Sequence, residues 1–469
     1  MKRYFGITGI FLVIFFLKGA AQTDTLPAFH HFSVQECVTY AEANNVLVKN
    51  ALLDYQIQEQ VNRNVKSAAF PQINGNLGPT YNPNVAVQNF PNFIAAATYG
   101  VLIDQGVKDG NGNPIKAPAD YGYIQAAFGS RWNANAGITL SQILFDGQLF
   151  IALQAQKSTL DLQTKNVAVT KENIRVNIYK LYYQLAASNT QTAQLDANII
   201  RAEKLLHDVN ILYQNGFQEK LDVNKATVQL NNLQTEKSNL QNVIDNGYYG
   251  LKLLMGMPIH DSLVLTDSVT DDMIKDKLLT EGNYSYDTRP DFQYLQVAKK
   301  LGEYNIRRYK LSRIPTANLS ASYMKSAQRN NFDFFGKGEW FTSSYIGLNI
   351  NIPIFDGFAK ASNIRKSELE LEQTQNQIES LKQSIDNDVM QATNNYRNAV
   401  ASMDLQKTNM QLAETVYEQT KKKYEIGTGS TTEITNAQAD LKVAQSNYIN
   451  ALYNAIIAKI DYEKATGIL

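Results

Sequence analysis

The sequence predicts an α+β membrane protein that crosses its bilayer with β-strands and carries very long helices outside it. Three observations predict this. The 469-residue chain repeats itself at a near-constant offset. Two long windows hold no proline and keep a seven-residue apolar repeat. Between the helical stretches lie segments of about ten residues that alternate apolar and polar, the length of a tilted membrane strand.

The repeat is read first. Phe145-Asp146-Gly147 recurs as Phe355-Asp356-Gly357, 210 residues on. Tyr213-Gln214-Asn215-Gly216 recurs as Tyr424-Glu425-Ile426-Gly427, and Met255-Gly256 as Thr466-Gly467, both 211 residues on. Pro71 and Pro315 also correspond, but 244 residues apart. The first copy therefore carries extra chain between Pro71 and Asp146. The domain plan is a signal peptide at 1–21, a first repeat at 22–256, an equatorial linker at 257–289 and a second repeat at 290–469. Strand pairs are expected at about 72–82 with 132–144, and at about 316–325 with 344–354.

No proline falls between Pro118 and Pro258, or after Pro353. An interior proline costs a helix about 3 kcal/mol, so these windows are free to be helical. Leu153, Leu160, Val167, Ile174 and Leu181 recur every seventh residue. Ile364, Leu371, Ile378 and Ile385 keep the same register in the other copy. Such a repeat implies left-handed supercoiling against neighbouring helices. Long helices are expected at about 147–214 and 357–425, each near 100 Å at about 1.5 Å per residue. Shorter partners are expected at about 218–255 and 431–466. Gly216 and Gly427 read as the left-handed residues that let the chain reverse.

Trp132, Ala134, Ala136, Ile138 and Leu140 alternate with asparagine, glycine, threonine and serine. The rows through Ile73, Ala317 and Ile346 do the same, which is a strand signal. Four strands cannot close a membrane barrel, because open edges leave backbone groups unsatisfied in lipid. The strands must be pooled between chains. Eight would be filled by side chains, whereas twelve leave a lumen, so a trimer is the physical choice for a conducting barrel. Tyr81 to Arg131 and Ser326 to Phe341 read as outward loops with interface aromatics.

The remaining features restrict function. Lys2 and Arg3, the apolar run Ile7 to Leu17 and the small residues Gly19 to Ala21 form a secretory leader too short to span a bilayer. No cysteine stands at the cleavage point to take a lipid. Basic and acidic residues number 44 each, which gives no basic stripe for nucleic acid. The single cysteine, Cys37, can form no internal disulfide and reads as a helix residue. Four histidines lack metal-ligand spacing, and no metal or cofactor is expected. There is no P-loop, dinucleotide glycine fingerprint or nucleophile elbow, so the chain is not expected to be an enzyme. Part of the excess of tyrosine, 26 residues, belongs to barrel rims and part to helix seams.

With these pieces in place, the chain resembles the TolC-type outer-membrane efflux family from about Phe32 to Gly467. The two Phe-Asp-Gly motifs and the tip segments Tyr213–Ala226 and Tyr424–Ala437 carry the likeness. The resemblance implies a homotrimer with a twelve-stranded barrel, four strands per chain, continued by a coiled-coil barrel in the periplasm. It implies a passive exit duct working with a periplasmic adaptor (membrane fusion) protein and an inner-membrane transporter, set in outer-membrane lipid. Tyr213, Gly216, Tyr424 and Gly427 would form the adaptor contact. The family often narrows its entrance with acidic positions six and nine residues after the second glycine, here Glu433 and Asn436. Asp222 stands six residues after Gly216. Only Glu433 keeps the charge in the second copy. Glu433 and Asp222 also suit a helix N-terminus, where a carboxylate gains about 0.3–1 kcal/mol from the macrodipole. The competing class is a surface adhesive coiled coil without a lumen, which would not need matched hairpin tips.

Overall fold

The computed structural model describes residues 28–275 and 284–469, so the expected leader and part of the expected linker lie outside it. The elements run β1 (Phe29–Phe32), α1 (Val34–Asn44), α2 (Val46–Ser67), β2 (Gln72–Tyr81), β3 (Val87–Pro91) and α3 (Phe93–Asp104). Then come β4 (Tyr123–Ala127), β5 (Trp132–Phe145), α4 (Gly147–Gln214), α5 (Lys220–Met255), β6 (Ser262–Leu265) and α6 (Asp272–Lys275). After a 3-10 turn at Tyr286–Thr288 follow α7 (Pro290–Leu311), β7 (Thr316–Arg329), β8 (Phe341–Asn351), α8 (Ala359–Glu425) and α9 (Thr431–Thr466). The chain falls into two compact units.

The unit made of Leu53–Asn166 and Asp291–Leu381 holds the main sheet. Its strand order is β2-β5-β7-β8, every neighbour antiparallel. Register explains the alternation. Ile73, Leu140, Ala321 and Ile346 lie side by side, as do Gln142, Leu319 and Leu348, on one apolar face. Asn74, Thr139 and Ser322 share the opposite face. The apolar face ends in charge: Lys325 stands opposite Ala136 and Thr342, and Arg329 opposite Trp132. Long basic side chains at such an end can lay their stems on apolar surface and put the charge in water. Aromatic rings gather at the same end, with Tyr81 4.6 Å from Trp132 and Trp132 4.9 Å from Phe332.

Two sequence expectations change here. Alternation carries the last strand to Ile354, but β8 ends at Asn351. Pro353 has no N–H for a ladder, and the chain turns irregular until Ala359. The stretch from Tyr81 to Arg131 is more than a loop. β3 and β4 form an antiparallel ribbon, and α3 sits between them.

Helices of the same unit dock in two similar ways. Asn62 and Gln156 exchange side-chain amide bonds to each other's backbone carbonyl, both at 3.0 Å, joining α2 to α4. Gly302 of α7 lets the Leu371 side chain of α8 come so close that a Cβ would stand 3.1 Å from it.

The other unit holds residues 28–52, 167–275, 284–290 and 382–469. Here α4, α5, α8 and α9 bury one apolar core that includes Ile178, Leu185, Leu251, Met255, Met403 and Ile456. These are heptad positions and their neighbours, which is why long helices of low average hydropathy hold together. The four-residue strands β1 and β6 pair in parallel. Buried tyrosines join the helices to nearby backbone. Tyr182 donates to the Phe32 carbonyl at 3.1 Å and accepts from the Asp267 amide at 3.0 Å. Tyr396 donates to the Ile274 carbonyl at 2.6 Å. Burial pushes the Tyr182 hydroxyl up to about 12, so it acts as a fixed neutral bridge. Cys37 is fully buried in α1, and burial pushes its thiol up to about 12. It packs, and is no nucleophile at neutral pH.

Candidate functional site

The tip of each long helix pair is built the same way. Gly216, at φ +80°, follows α4; its amide donates to the Tyr213 carbonyl at 3.0 Å, and the Phe217 amide to Leu212 at 2.9 Å. Gly427, at φ +78°, follows α8; its amide donates to Tyr424 at 3.0 Å, and the Thr428 amide to Lys423 at 2.9 Å. Both are Schellman caps, and their left-handed residue favours glycine. Space around the absent Cβ is open in both.

The helices that leave the tips start differently. Ser430 accepts from the Glu433 amide at 3.2 Å, while the Glu433 carboxylate accepts from the Ser430 amide at 3.5 Å. This is a capping box. Glu219, at the same place before α5, makes no side-chain cap bond. Glu433 therefore has a local task as a helix cap. Asp222 lies in the first turn of α5, 3.8 Å from the Lys225 ammonium. Asn436 is exposed on α9.

Asn436 and not Glu433 lines a concavity of this region. That cavity measures about 570 Å³ and lies against α5 and α9. Its wall is mostly apolar, with Leu221, Val228 and Leu233, and carries amides from Asn224, Gln229 and Asn232 of α5 and Gln438 of α9. The Lys442 ammonium on its edge is paired to Glu236 at 2.7 Å. Such a wall offers apolar contact with a few amide hydrogen bonds, and its Lys442 and Lys225 charges have carboxylate partners.

The two tip tyrosines face different surroundings. Tyr424 packs against the core formed by Leu205, Val209, Val223, Tyr417, Ile434 and Leu441. Burial raises its hydroxyl above the ordinary tyrosine value. Tyr213 is 38% exposed, with the Lys220 ammonium 5.4 Å from its ring centre. The apolar side chains most open at the tips are Phe217 (78%) and Ile426 (74%). Sequence reading did not single them out. Their signal was available, because an apolar residue beside the left-handed glycine lies outside the helix seam. Among the described residues, no group of three or more His, Cys, Asp or Glu could hold a metal. None of the described helices is long and apolar enough to cross a membrane.

Residues 285–468 match the family model described as outer membrane efflux protein. The outer membrane protein TolC of Vibrio cholerae is 21% identical over 345 residues, 71% of this chain and 77% of that protein. TolC of Escherichia coli is 23% identical, over 75% of this chain and 73% of its own length. The outer membrane efflux protein BepC of Brucella suis is also 23% identical, over 72% and 73%. In fold, the chain matches a crystal structure of CusC with a TM-score of 0.72 at 16% identity, over 95% of each chain. It matches the outer membrane protein VceC of Vibrio cholerae with a TM-score of 0.68 at 14% identity, over 92% and 96%. The second half of the chain thus carries the outer membrane efflux protein pattern, and over most of its length the chain is similar to TolC-type outer-membrane proteins and shares the fold of solved outer-membrane channels.

Proposed function

We propose that the chain is the channel subunit of a tripartite efflux or type I secretion system, and that it forms the passive exit duct. It resides in the outer membrane, with its helical part in the periplasm. The observation that carries this reading is the sheet. Four antiparallel strands end in β2 and β8, neither of which has a second partner among the described residues. One face is apolar in register and the other rich in Asn, Ser and Thr. In lipid, two such open edges would each leave a row of backbone groups unpaired. Three copies pairing edge to edge give twelve strands, a closed wall and a polar lumen. The homotrimer is therefore the functional unit.

The hairpin tips are the docking points for a periplasmic adaptor, through which an inner-membrane transporter delivers cargo. Gly216 and Gly427 shape the tips, Tyr213 with its exposed neighbours Phe217 and Ile426 supplies contact, and Tyr424 stiffens the turn from inside. Glu433, Asn436 and Asp222 border the entrance. With Asn436 neutral and Glu433 engaged in its cap, the entrance has weak preference for cations.

Single-channel recording from purified protein in planar bilayers tests the duct. Stepwise conductance is expected, and silent insertion of intact protein would reject it. Docking is tested with Gly427→Trp. Open space at the Gly427 Cβ leaves left-handed strain of about 1–2 kcal/mol as the cost, small enough for the trimer to assemble, and export should fall. Normal export by a membrane-inserted Gly427→Trp trimer would reject the tip as the docking point.

A further inference from the structure

Helix α3 has no charged residue before its last position, Asp104. Phe93, Ile94, Val101 and Ile103 are exposed, and no residue of the helix is buried within the protomer. A helix apolar on all sides is normally covered on all sides. Twelve residues make about 18 Å of helix, too short to span a hydrocarbon core of about 30 Å. A helix lying in a lipid surface would carry a basic polar face, and α3 has no Lys or Arg.

Its place in the chain indicates another cover. α3 leaves the far end of the β3–β4 ribbon, which prolongs the β2–β5 hairpin. The Asn82 amide donates to the Arg131 carbonyl at 2.7 Å, and the Phe128 amide to Ala86 at 3.1 Å. The Asn92 amide donates to Gly122 at 2.9 Å, and the Asn92 side chain caps the helix at the Ala95 amide. The helix is thus attached beyond the aromatic end of the sheet. A barrel of twelve strands spaced about 4.8 Å and tilted about 40° has a radius of about 12 Å. A helix of about 18 Å is longer than that radius, so α3, carried above the rim on the ribbon, can reach the axis.

We propose that the α3 helices of three copies of this chain pack on one another over the outer mouth of the barrel, burying their apolar faces and covering the exit. The proposal rests on the trimer reading above. The absence of charge over Phe93–Ile103 lets three identical helices meet without repulsion. Cargo or the pump's cycle would then have to part them.

The test uses the full chain with Cys37→Ala and Ala97→Cys, in outer-membrane vesicles treated with a short bis-maleimide. Covalent dimers and trimers on a denaturing gel are expected, and adding Val101→Glu should abolish them. Thr98→Cys is read in the same way if the first variant fails to assemble. A trimeric mass in detergent with no cross-link, although the introduced thiol reacts with a monofunctional maleimide, would overturn this proposal alone. Quenching of a fluorophore on that thiol by spin-labelled lipid would also overturn it, because the cover would then be the bilayer. A monomeric mass would overturn the trimer reading and this proposal together.

Discussion

The first long helix pair, α4–α5, and the second, α8–α9, use the same turns and fasten them with different residues. Both α5 and α9 are 36 residues long and end at a left-handed glycine, Gly256 and Gly467. In the first pair the glycine lies against backbone, where an added Cβ would stand 2.5 Å from the Asn44 carbonyl oxygen. In the second the obstacle is the Thr288 hydroxyl. The last carbonyls of α5 receive the Asn45 side-chain amide at 2.6 Å on Leu254. Those of α9 receive the Arg289 guanidinium at 3.3 Å on Ala465. At the opposite end, only the second pair has a capping box. Equal length and equal turns therefore do not mean equal strength. Backbone fit closes the base of the first pair, while charge and capping hold the second.

The comparison is broken most sharply at the base glycines. Gly256→Ala adds left-handed strain and a clash with backbone that cannot swing aside, together about 2–5 kcal/mol. Gly467→Ala keeps the strain but meets a rotatable side chain, and should cost about 1–2 kcal/mol. Thermal unfolding followed by far-ultraviolet circular dichroism in detergent ranks the two, and equal losses would remove the distinction. Next, Arg289→Ala removes charge-assisted bonds at a site only 5% exposed and should cost about 1.5–3 kcal/mol. Asn45→Ala should cost a similar amount, about 1.5–3 kcal/mol, since it removes the amide bond to Leu254 and the side-chain oxygen that accepts from the Leu47 amide at 2.7 Å.

At the tips, Ser430→Ala should cost about 1 kcal/mol, whereas Glu219→Ser should gain up to about that amount by supplying the missing cap. Amide hydrogen exchange over the first turns of α9 and α5 reads both locally. The smallest effect is electrostatic. Glu42 of α1 meets Lys171 and Arg175 of α4, both at 2.9 Å. Partial burial alone would raise its carboxyl, but the bonds from Arg175 and Lys171 outweigh this and hold it below 4.5. A depressed carboxylate contributes its full stability above pH 4.5 and loses it as pH falls through the lowered value. Glu42→Gln should therefore cost up to about 1 kcal/mol at about pH 7 and progressively less in acid. A constant difference between about pH 7 and about pH 3 would contradict the ion-pair account.

Legibility differed by region for physical reasons. Proline-free windows and heptad rows mark the long helices because each turn repeats the same packing demand. Of those rows Ile174, Ile364, Ile378 and Ile385 are buried, and Leu153, Leu160, Val167, Leu181 and Leu371 are half-buried. Tip glycines were legible because a left-handed residue after a helix favours glycine. The β1–β6 pair was not legible, since Phe29–Phe32 and Ser262–Leu265 are too short to show a period and are paired across the chain. Helix α3 was hidden for a similar reason: an uncharged run with Gly100 inside, between turn residues, has no polar face to set a helical period. The shared Phe-Asp-Gly motif masked a difference. Gly147 begins a helix with its missing Cβ 2.8 Å from the Leu311 Cβ, whereas Gly357 is left-handed at φ +63° in open space. For the proposed entrance, the family resemblance pointed to Glu433 and Asn436, but the capping box that engages Glu433 required the geometry.

The proposed duct depends on the open edges of β2 and β8 finding each other in sister copies. The mass of the detergent-solubilised chain, measured by native mass spectrometry after detergent release, addresses this most directly. Three chains in one particle are expected. A stable single chain that inserts into bilayers would contradict it.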